Sequence, residues 1–87
     1  MNNLHKLQAG NPWIVDNVAM VPVERYFLYS EKGSSGCWFA AQKAPHAIII
    51  CDDTGIRAFN LQAREISLSQ LAQDVPNLDA ILAPFAR

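Results

Sequence analysis

The sequence predicts an α+β fold, an antiparallel β-meander of four to six strands with two short C-terminal helices packed on one face. Two observations carry this prediction. Up to about residue 66, runs of β-branched and aromatic residues alternate with turn residues, as they do in antiparallel sheets. After residue 66 the apolar residues recur at the three- and four-residue spacing of a helix.

Length and composition indicate one folded domain. The chain has 87 residues, of which 51% are hydrophobic and 17% charged. Such a composition supplies enough apolar surface to offset the entropy of ordering, so it excludes intrinsic disorder. Residues 1–11 are mostly polar, and we assign them to a flexible N-terminal arm. Residues 12–87 form a single α+β domain.

The first strands are separated by a recognisable turn. Asp16-Asn17 lies between two short apolar runs and suits a two-residue hairpin turn. Residues 22–30 can be interpreted as a strand or as a helix that begins at Pro22. The strand is favoured because residues 26–29 are dense in aromatic side chains and lack a helical stripe. Proline cannot donate to a ladder, so Pro22 predicts an edge, a bulge or a bend.

Three further connections are predicted. Residues 33–36 (Gly-Ser-Ser-Gly) form a flexible hairpin loop, and residues 42–46 form a second loop because they contain Pro45. Asp52 and Gly55 suit the ends of a type I turn, with residues 53–55 as the loop.

The C-terminal part predicts two helices. Ser67 and Gln70 match a capping box at the start of the first helix. Pro76 ends that helix and opens a second one, which ends at Pro84.

The predicted loops fix a register and therefore two faces of the sheet. Cys37 is expected opposite Cys51, Ile49 opposite Phe59 and Ile50 opposite Ala58. One face then carries Cys37, Phe39, Ile49, Cys51 and Phe59, and the other carries Trp38, Ala40, Ile48, Ile50 and Ala58. Both faces are apolar, whereas an antiparallel sheet usually keeps one polar face. The helices cover one face, and either residues 13–15 or another molecule covers the second.

Candidate chemistry is limited to weak catalytic candidates, Cys37, His46 and Cys51. The predicted register would allow a disulfide or a reactive thiol pair, which leads to the alternative of a thiol-based redox or catalytic protein. The other interpretation is two buried, reduced cysteines. The spacing Cys-x8-His-x4-Cys matches no standard zinc pattern, so no metal and no cofactor are expected. A small-ligand pocket lined by Tyr29 and Trp38 is a third hypothesis.

Charge and hydropathy exclude several classes of partner. The net charge is −1 and no basic stripe is visible, so we expect no nucleic acid. The longest apolar runs have five residues and no secretory signal is visible, which predicts no membrane span and a cytoplasmic location. The leading hypothesis is a small non-enzymatic protein-interaction or regulatory module. It would bind a protein partner or form a homodimer through an apolar sheet face that carries Trp38, Ile48, Ile50 and Tyr29.

Overall fold

A computed structural model describes residues 2–33 and 36–86. The strands are β1 (Asn2–Ala9), β2 (Trp13–Val15), β3 (Val18–Gly33), β4 (Gly36–Asp52), β5 (Gly55–Asn60) and β6 (Glu65–Ile66). Two helices follow, α1 (Leu68–Asp74) and α2 (Leu78–Leu82), and a 3-10 turn spans Ala83–Phe85. All strands pair antiparallel in one sheet of order β1-β3-β4-β5-β6, with β2 also beside β3. The predicted α+β class is confirmed.

Several local predictions are also confirmed. Asp16-Asn17 forms the turn between β2 and β3, with Asp16 at a φ of 55°. Residues 22–30 belong to β3, so the helix alternative is wrong. Gly33 pairs with Gly36, and the rest of the predicted loop, residues 34–35, lies outside the described ranges.

Pro22 lies within β3, which has neighbours on both sides, yet its missing N–H leaves no gap in a ladder. The amide of Gly10 donates to the carbonyl of Pro22 at 2.8 Å. In a strand the N–H and C=O of one residue point to the same side, so the proline nitrogen also faces the segment that connects β1 to β2. A Cβ at Gly10 would lie 3.1 Å from the Pro22 ring, which explains why glycine stands at this crossing.

The prediction of a flexible arm is wrong for Asn2–Ala9, which forms β1. These eight residues pair with β3, from Asn2 opposite Ser30 to Ala9 opposite Val23. Leu4 and Leu7 are the only large apolar residues in this segment. The strand forms because its backbone pairs with the long strand β3, and its side-chain pattern gives no indication of that pairing.

The predicted loop at residues 42–46 is also wrong, because β4 is continuous from Gly36 to Asp52. Val23 pairs with Ala47 and Glu24 pairs with Pro45, so His46 is an extra residue in a β-bulge. Pro45 therefore marks the bulge, just beyond the point where pairing with β5 begins at Ala47.

The turn between β4 and β5 shifts the predicted register by one residue. Asp52 pairs with Gly55, so the loop has two residues and not three. Gly55 has a φ of 128°, a conformation that glycine adopts without strain. Ile48 consequently lies opposite Phe59 and Ile49 opposite Ala58, so the predicted pairs of Ile49 with Phe59 and Ile50 with Ala58 are wrong. Such a slip exchanges the faces of Ala58 and Phe59.

The core lies between one face of the sheet and the two helices. Its buried residues are Ala19, Val21, Val23, Ala47, Ile49, Cys51, Ala58, Leu71, Val75, Leu78 and Leu82. Ser67 is the N-cap of α1 and accepts a hydrogen bond from the amide of Gln70 at 3.2 Å, as the capping box predicts. α2 begins after Asn77, two residues later than Pro76 suggested.

The molecule is elongated. Its principal extents are 57 × 21 × 20 Å, and its radius of gyration is 16.0 Å, against about 12 Å for a compact domain of this length. We call residues 2–8, 24–33 and 36–44 the ribbon, and residues 9–23 and 45–86 the base. All residues of the core belong to the base, and none of the ribbon residues whose side chains are described is buried. The ribbon is therefore a three-stranded sheet that projects from the base.

Candidate functional site

The sheet surface opposite the helices, which we call the open face, is apolar over the base. Pairing places Pro22, Ile48 and Phe59 side by side, and places Met20 between Trp13 and Ile50. These residues alternate along their strands with the core residues, so they point away from the helices. The buried neighbours Val21 and Ile49 confirm that assignment.

A shallow groove of about 610 Å³ crosses the open face. Its lining is aliphatic and aromatic apart from one asparagine, and it comprises Pro22, Pro45, Ala47, Ile48, Ile50, Phe59, Asn60, Leu61 and Ala63. The bulge at His46 produces this groove, because it turns Pro45 to the open face while Ala47 remains in the core.

Exposure of large apolar side chains is concentrated on this face. Among the described residues, five large hydrophobic side chains are exposed, and four of them belong to the open face by register or by lining the groove: Trp13 (68%), Val15 (57%), Leu28 (42%) and Leu61 (60%). The fifth, Ile14 (66%), lies opposite the core residue Ala19 and faces the helix side. An apolar patch of this kind marks an interaction surface on a folded protein.

Charged pairs border the apolar centre. In the base, Arg57 forms an ion pair with Asp52 at 3.3 Å and lies over the ring of Phe59. Hydrogen bonds from Thr54 lower the pKa of Asp52, with a smaller contribution from Arg57. In the ribbon, Lys43 pairs with Glu24 at 3.2 Å, and that contact raises the pKa of Lys43. The open face thus has an apolar centre with a polar rim, as protein interfaces do.

Two of the four residues predicted for the interaction surface belong to the open face, Ile48 and Ile50. Tyr29 lies on the opposite face, where Phe27 and Tyr29 stack with ring centroids 6.4 Å apart and His5 meets Phe27 edge-on. The side chain of Trp38 lies outside the described part of the chain; its backbone pairs with Glu31. Tyr29 was predicted on the same face as Ile48 because the sequence did not reveal the bulge at His46. That bulge exchanges the two faces of β4 between the ribbon and the base.

Trp13, Phe59 and Leu61 are members of the open face that sequence reasoning missed. A two-residue turn at Asp16-Asn17 places Trp13 opposite Met20, so this part of the open face could have been predicted from the sequence. Phe59 was assigned to the wrong face by the three-residue loop. Leu61 follows β5 in the turn to β6, where no strand pattern places it.

The predicted neighbours Cys37 and Cys51 are far apart. Both lie in β4, fourteen residues from each other, which corresponds to about 46 Å along a strand. A disulfide needs Cα atoms within about 7 Å, so the predicted pairing is wrong. Cys51 is buried and reduced, and burial raises the pKa of its thiol with a further contribution from the charge of Asp52. These surroundings disfavour the thiolate that thiol chemistry requires.

His46 lies in the bulge on the helix side and not in a solvated loop. Arg25 donates from Nη2 to His46 Nδ1 at 3.0 Å, since a guanidinium has donors only. Partial burial lowers the pKa of His46, the charge of Arg25 lowers it further, and Asp74 opposes both. This contact orients the bulge residue and favours its neutral form.

In the described ranges, no group of three or more histidine, cysteine or acidic side chains is arranged to hold a metal ion. The described helices are all too short and too polar to cross a membrane. Comparison with family models, with curated proteins and with solved structures gives no match to this chain.

Proposed function

We propose that this chain is a non-enzymatic interaction module that self-associates, with its open face covered by a second copy of the chain. The observation that carries the proposal is the apolar centre of that face, in which Trp13, Met20, Ile48, Ile50 and Phe59 adjoin on the side away from the helices. A side that normally faces water in an antiparallel sheet is here built from aliphatic and aromatic side chains.

The exposed area supports a second copy as the occupant. The chain exposes 6293 Å², about 1,200 Å² more than the ~5,100 Å² expected for a compact monomer of its mass. A standard protein interface buries about 800 Å² on each partner. An interface of standard size would remove an area comparable to this excess, and an isologous dimer covers the same face on both copies at once.

The thiol-based alternative has less support. Its two cysteines do not approach each other, and Cys51 is 4% exposed with a raised thiol pKa. The third hypothesis, a small-ligand pocket at Tyr29 and Trp38, stays a prediction, and the apolar groove of about 610 Å³ lies on the open face of the base.

Neighbouring residues of β2 provide a matched test. Trp13 and Ile14 are 68% and 66% exposed but lie on opposite faces of the sheet. Tryptophan is the residue type most often dominant in interfaces, so Trp13→Ser is expected to weaken the dimer at least ~10-fold in sedimentation equilibrium. Ile14→Ser removes a similarly exposed apolar side chain from the other face and is expected to change the dissociation constant less than ~2-fold.

Circular dichroism of both variants checks that each retains the fold. Equal weakening by the two substitutions, or a wild-type protein that remains monomeric at high concentration, would refute the proposal.

A further inference from the structure

The outer edge of β1 is unpaired. β1 stands at one end of the strand order, and within the described part of the chain it pairs with β3 alone. An edge strand presents backbone N–H and C=O groups that can pair with a further strand. β1 is eight residues long, contains no proline and pairs with β3 without a register shift. It therefore lacks the short length, the prolines and the bulges that usually prevent pairing at an edge.

The hydrogen bond at Gly10 determines which backbone groups of β1 point outward. The amide of Gly10 donates to the carbonyl of Pro22, and hydrogen-bonded and non-hydrogen-bonded positions alternate along an antiparallel pair. Because the register is uninterrupted, Lys6 directs its backbone groups toward β3. His5 and Leu7 direct theirs away from the sheet. The edge therefore offers donors and acceptors at the spacing that a further strand requires.

Cationic side chains border this edge. Lys6 is the only formally charged residue of β1, and it is exposed. A cavity of about 400 Å³ adjoins β1 on the helix side, and its described lining includes Arg25 and Lys6 but only one acidic residue, Asp74. Among the described residues Arg25 forms no ion pair. The charge beside β1 is thus positive, which favours an acidic partner segment.

The same lysine disfavours pairing of β1 with a second copy of itself. Two copies joined antiparallel about a two-fold axis at the middle of β1 would bring both Lys6 side chains close to that axis. Like charges on opposed strands destabilise the pair, whereas an acidic residue opposite Lys6 would stabilise it. The edge is therefore better suited to a different protein than to a second copy.

We propose that β1 binds an extended acidic segment of a partner protein, which adds antiparallel to the sheet as a further strand with an acidic residue opposite Lys6. Hydrogen bonds to the backbone of His5 and Leu7 supply affinity, and the side chains beside β1 supply the preference for acid, as in other complexes formed by strand addition. This contact uses the edge of the ribbon and leaves the open face of the base free for a second copy.

A blocked peptide, Thr-Val-Thr-Glu-Thr-Val-Thr, is the probe, and its binding is measured by NMR titration of the backbone amide signals. Replacing its glutamate by lysine is expected to weaken binding ~5-fold or more, because like charges then face each other at Lys6. N-methylation of the threonines beside the glutamate removes the donors that face β1 and is expected to abolish binding. N-methylation of the glutamate itself alters a donor on the far side of the peptide and is expected to change the dissociation constant less than ~2-fold.

Matched proline substitutions test the same edge on the protein. His5→Pro removes an outward donor and retains the ladder with β3, because the amide of His5 is not part of that ladder. Ala41→Pro is the control on the other free edge of the ribbon, where β4 lies beside β5 only from Ala47 onward. Ala41 is opposite Leu28, whose backbone bonds to β1, so the amide of Ala41 also points outward. His5→Pro is expected to abolish binding of the peptide and Ala41→Pro to retain it, with circular dichroism as the check that both variants fold.

The outcomes separate this inference from the proposed function. No binding to the wild type, retained binding in His5→Pro, or loss of binding in both proline variants overturns the inference. A wild-type dimer that His5→Pro converts to a monomer also overturns it, because a second copy would then occupy β1. Trp13→Ser lies outside β1 and is expected to bind the peptide as the wild type does, so a failure of self-association alone leaves this inference standing.

Discussion

Ile49 and Ile50 are adjacent in β4 and point to opposite faces, so truncating each one measures what that face contributes. Ile49 is fully buried between Val21 and Ala58, and Ile50 is half-buried between Met20 and Arg57. Ile49→Ala removes three buried carbons, worth about 2.4 kcal/mol in transfer free energy, and leaves a cavity, for a total loss near ~3–4 kcal/mol. Ile50→Ala removes the same atoms from a half-exposed site and costs ~1 kcal/mol in the monomer.

Urea unfolding followed by circular dichroism measures both values. At about 1 µM protein the two variants should differ by at least ~2 kcal/mol in the free energy of unfolding. At about 100 µM the loss for Ile50→Ala should increase, because dimer formation stabilises the wild type by mass action, whereas the difference for Ile49→Ala comes mainly from the core. Equal losses for the two variants in dilute solution would refute the assignment of the faces. A loss for Ile50→Ala that does not depend on concentration would contradict self-association through the open face.

Three further predictions concern the turn, the helix cap and the buried thiol. Ser67→Ala removes the side-chain cap of α1 and should lower the free energy of unfolding by ~1 kcal/mol, whereas Ser67→Gly should cost only a few tenths; equal effects in urea unfolding would contradict the cap. The folded-state pKa of Asp52 is lowered, so its carboxylate stabilises the fold above the unfolded-state value of about 3.9, and this contribution disappears as the pH falls through the folded-state value. Between about pH 5 and pH 2, where the carboxylate titrates, the free energy of unfolding should therefore fall less for Asp52→Asn than for the wild type. Parallel plots of unfolding free energy against pH for the two proteins would contradict this role of Asp52. In a Cys37→Ser background, Cys51 should react with iodoacetamide at least ~10-fold more slowly in native buffer than in urea, and rapid native labelling would show that it is not buried.

The fold class was predictable because its signals are local. The Asp16-Asn17 turn, the aromatic run before Gly33 and the Ser67 cap each depend on residues a few positions apart, and the structure retains all of them. β1 was not predictable in this way, since a polar segment becomes a strand only when a long partner is present to pair with it. The residues of β3 that pair with β1 are 14 to 28 positions away in the sequence, from Val23 opposite Ala9 to Ser30 opposite Asn2.

The strand register was harder to predict from the sequence, because it depends on two features that each involve a single residue. His46 adds one residue to β4, and the turn at Asp53-Thr54 is one residue shorter than the sequence suggested. Each feature exchanges the two faces for every residue beyond it. Ile48 and Ile50 were nevertheless assigned together correctly, because residues two apart in one strand share a face whatever the register. Tyr29 and Phe59 lie beyond these features and were misplaced.

The measurement that tests the central claim most directly is the molar mass of the purified chain by sedimentation equilibrium across the micromolar range. Self-association through the open face predicts a mass that rises from 9.6 kDa to about 19 kDa with concentration, and a Trp13→Ser variant that remains near 9.6 kDa where the wild type is dimeric. A wild-type mass of 9.6 kDa at all concentrations, or a dimer that Trp13→Ser leaves intact, would contradict it.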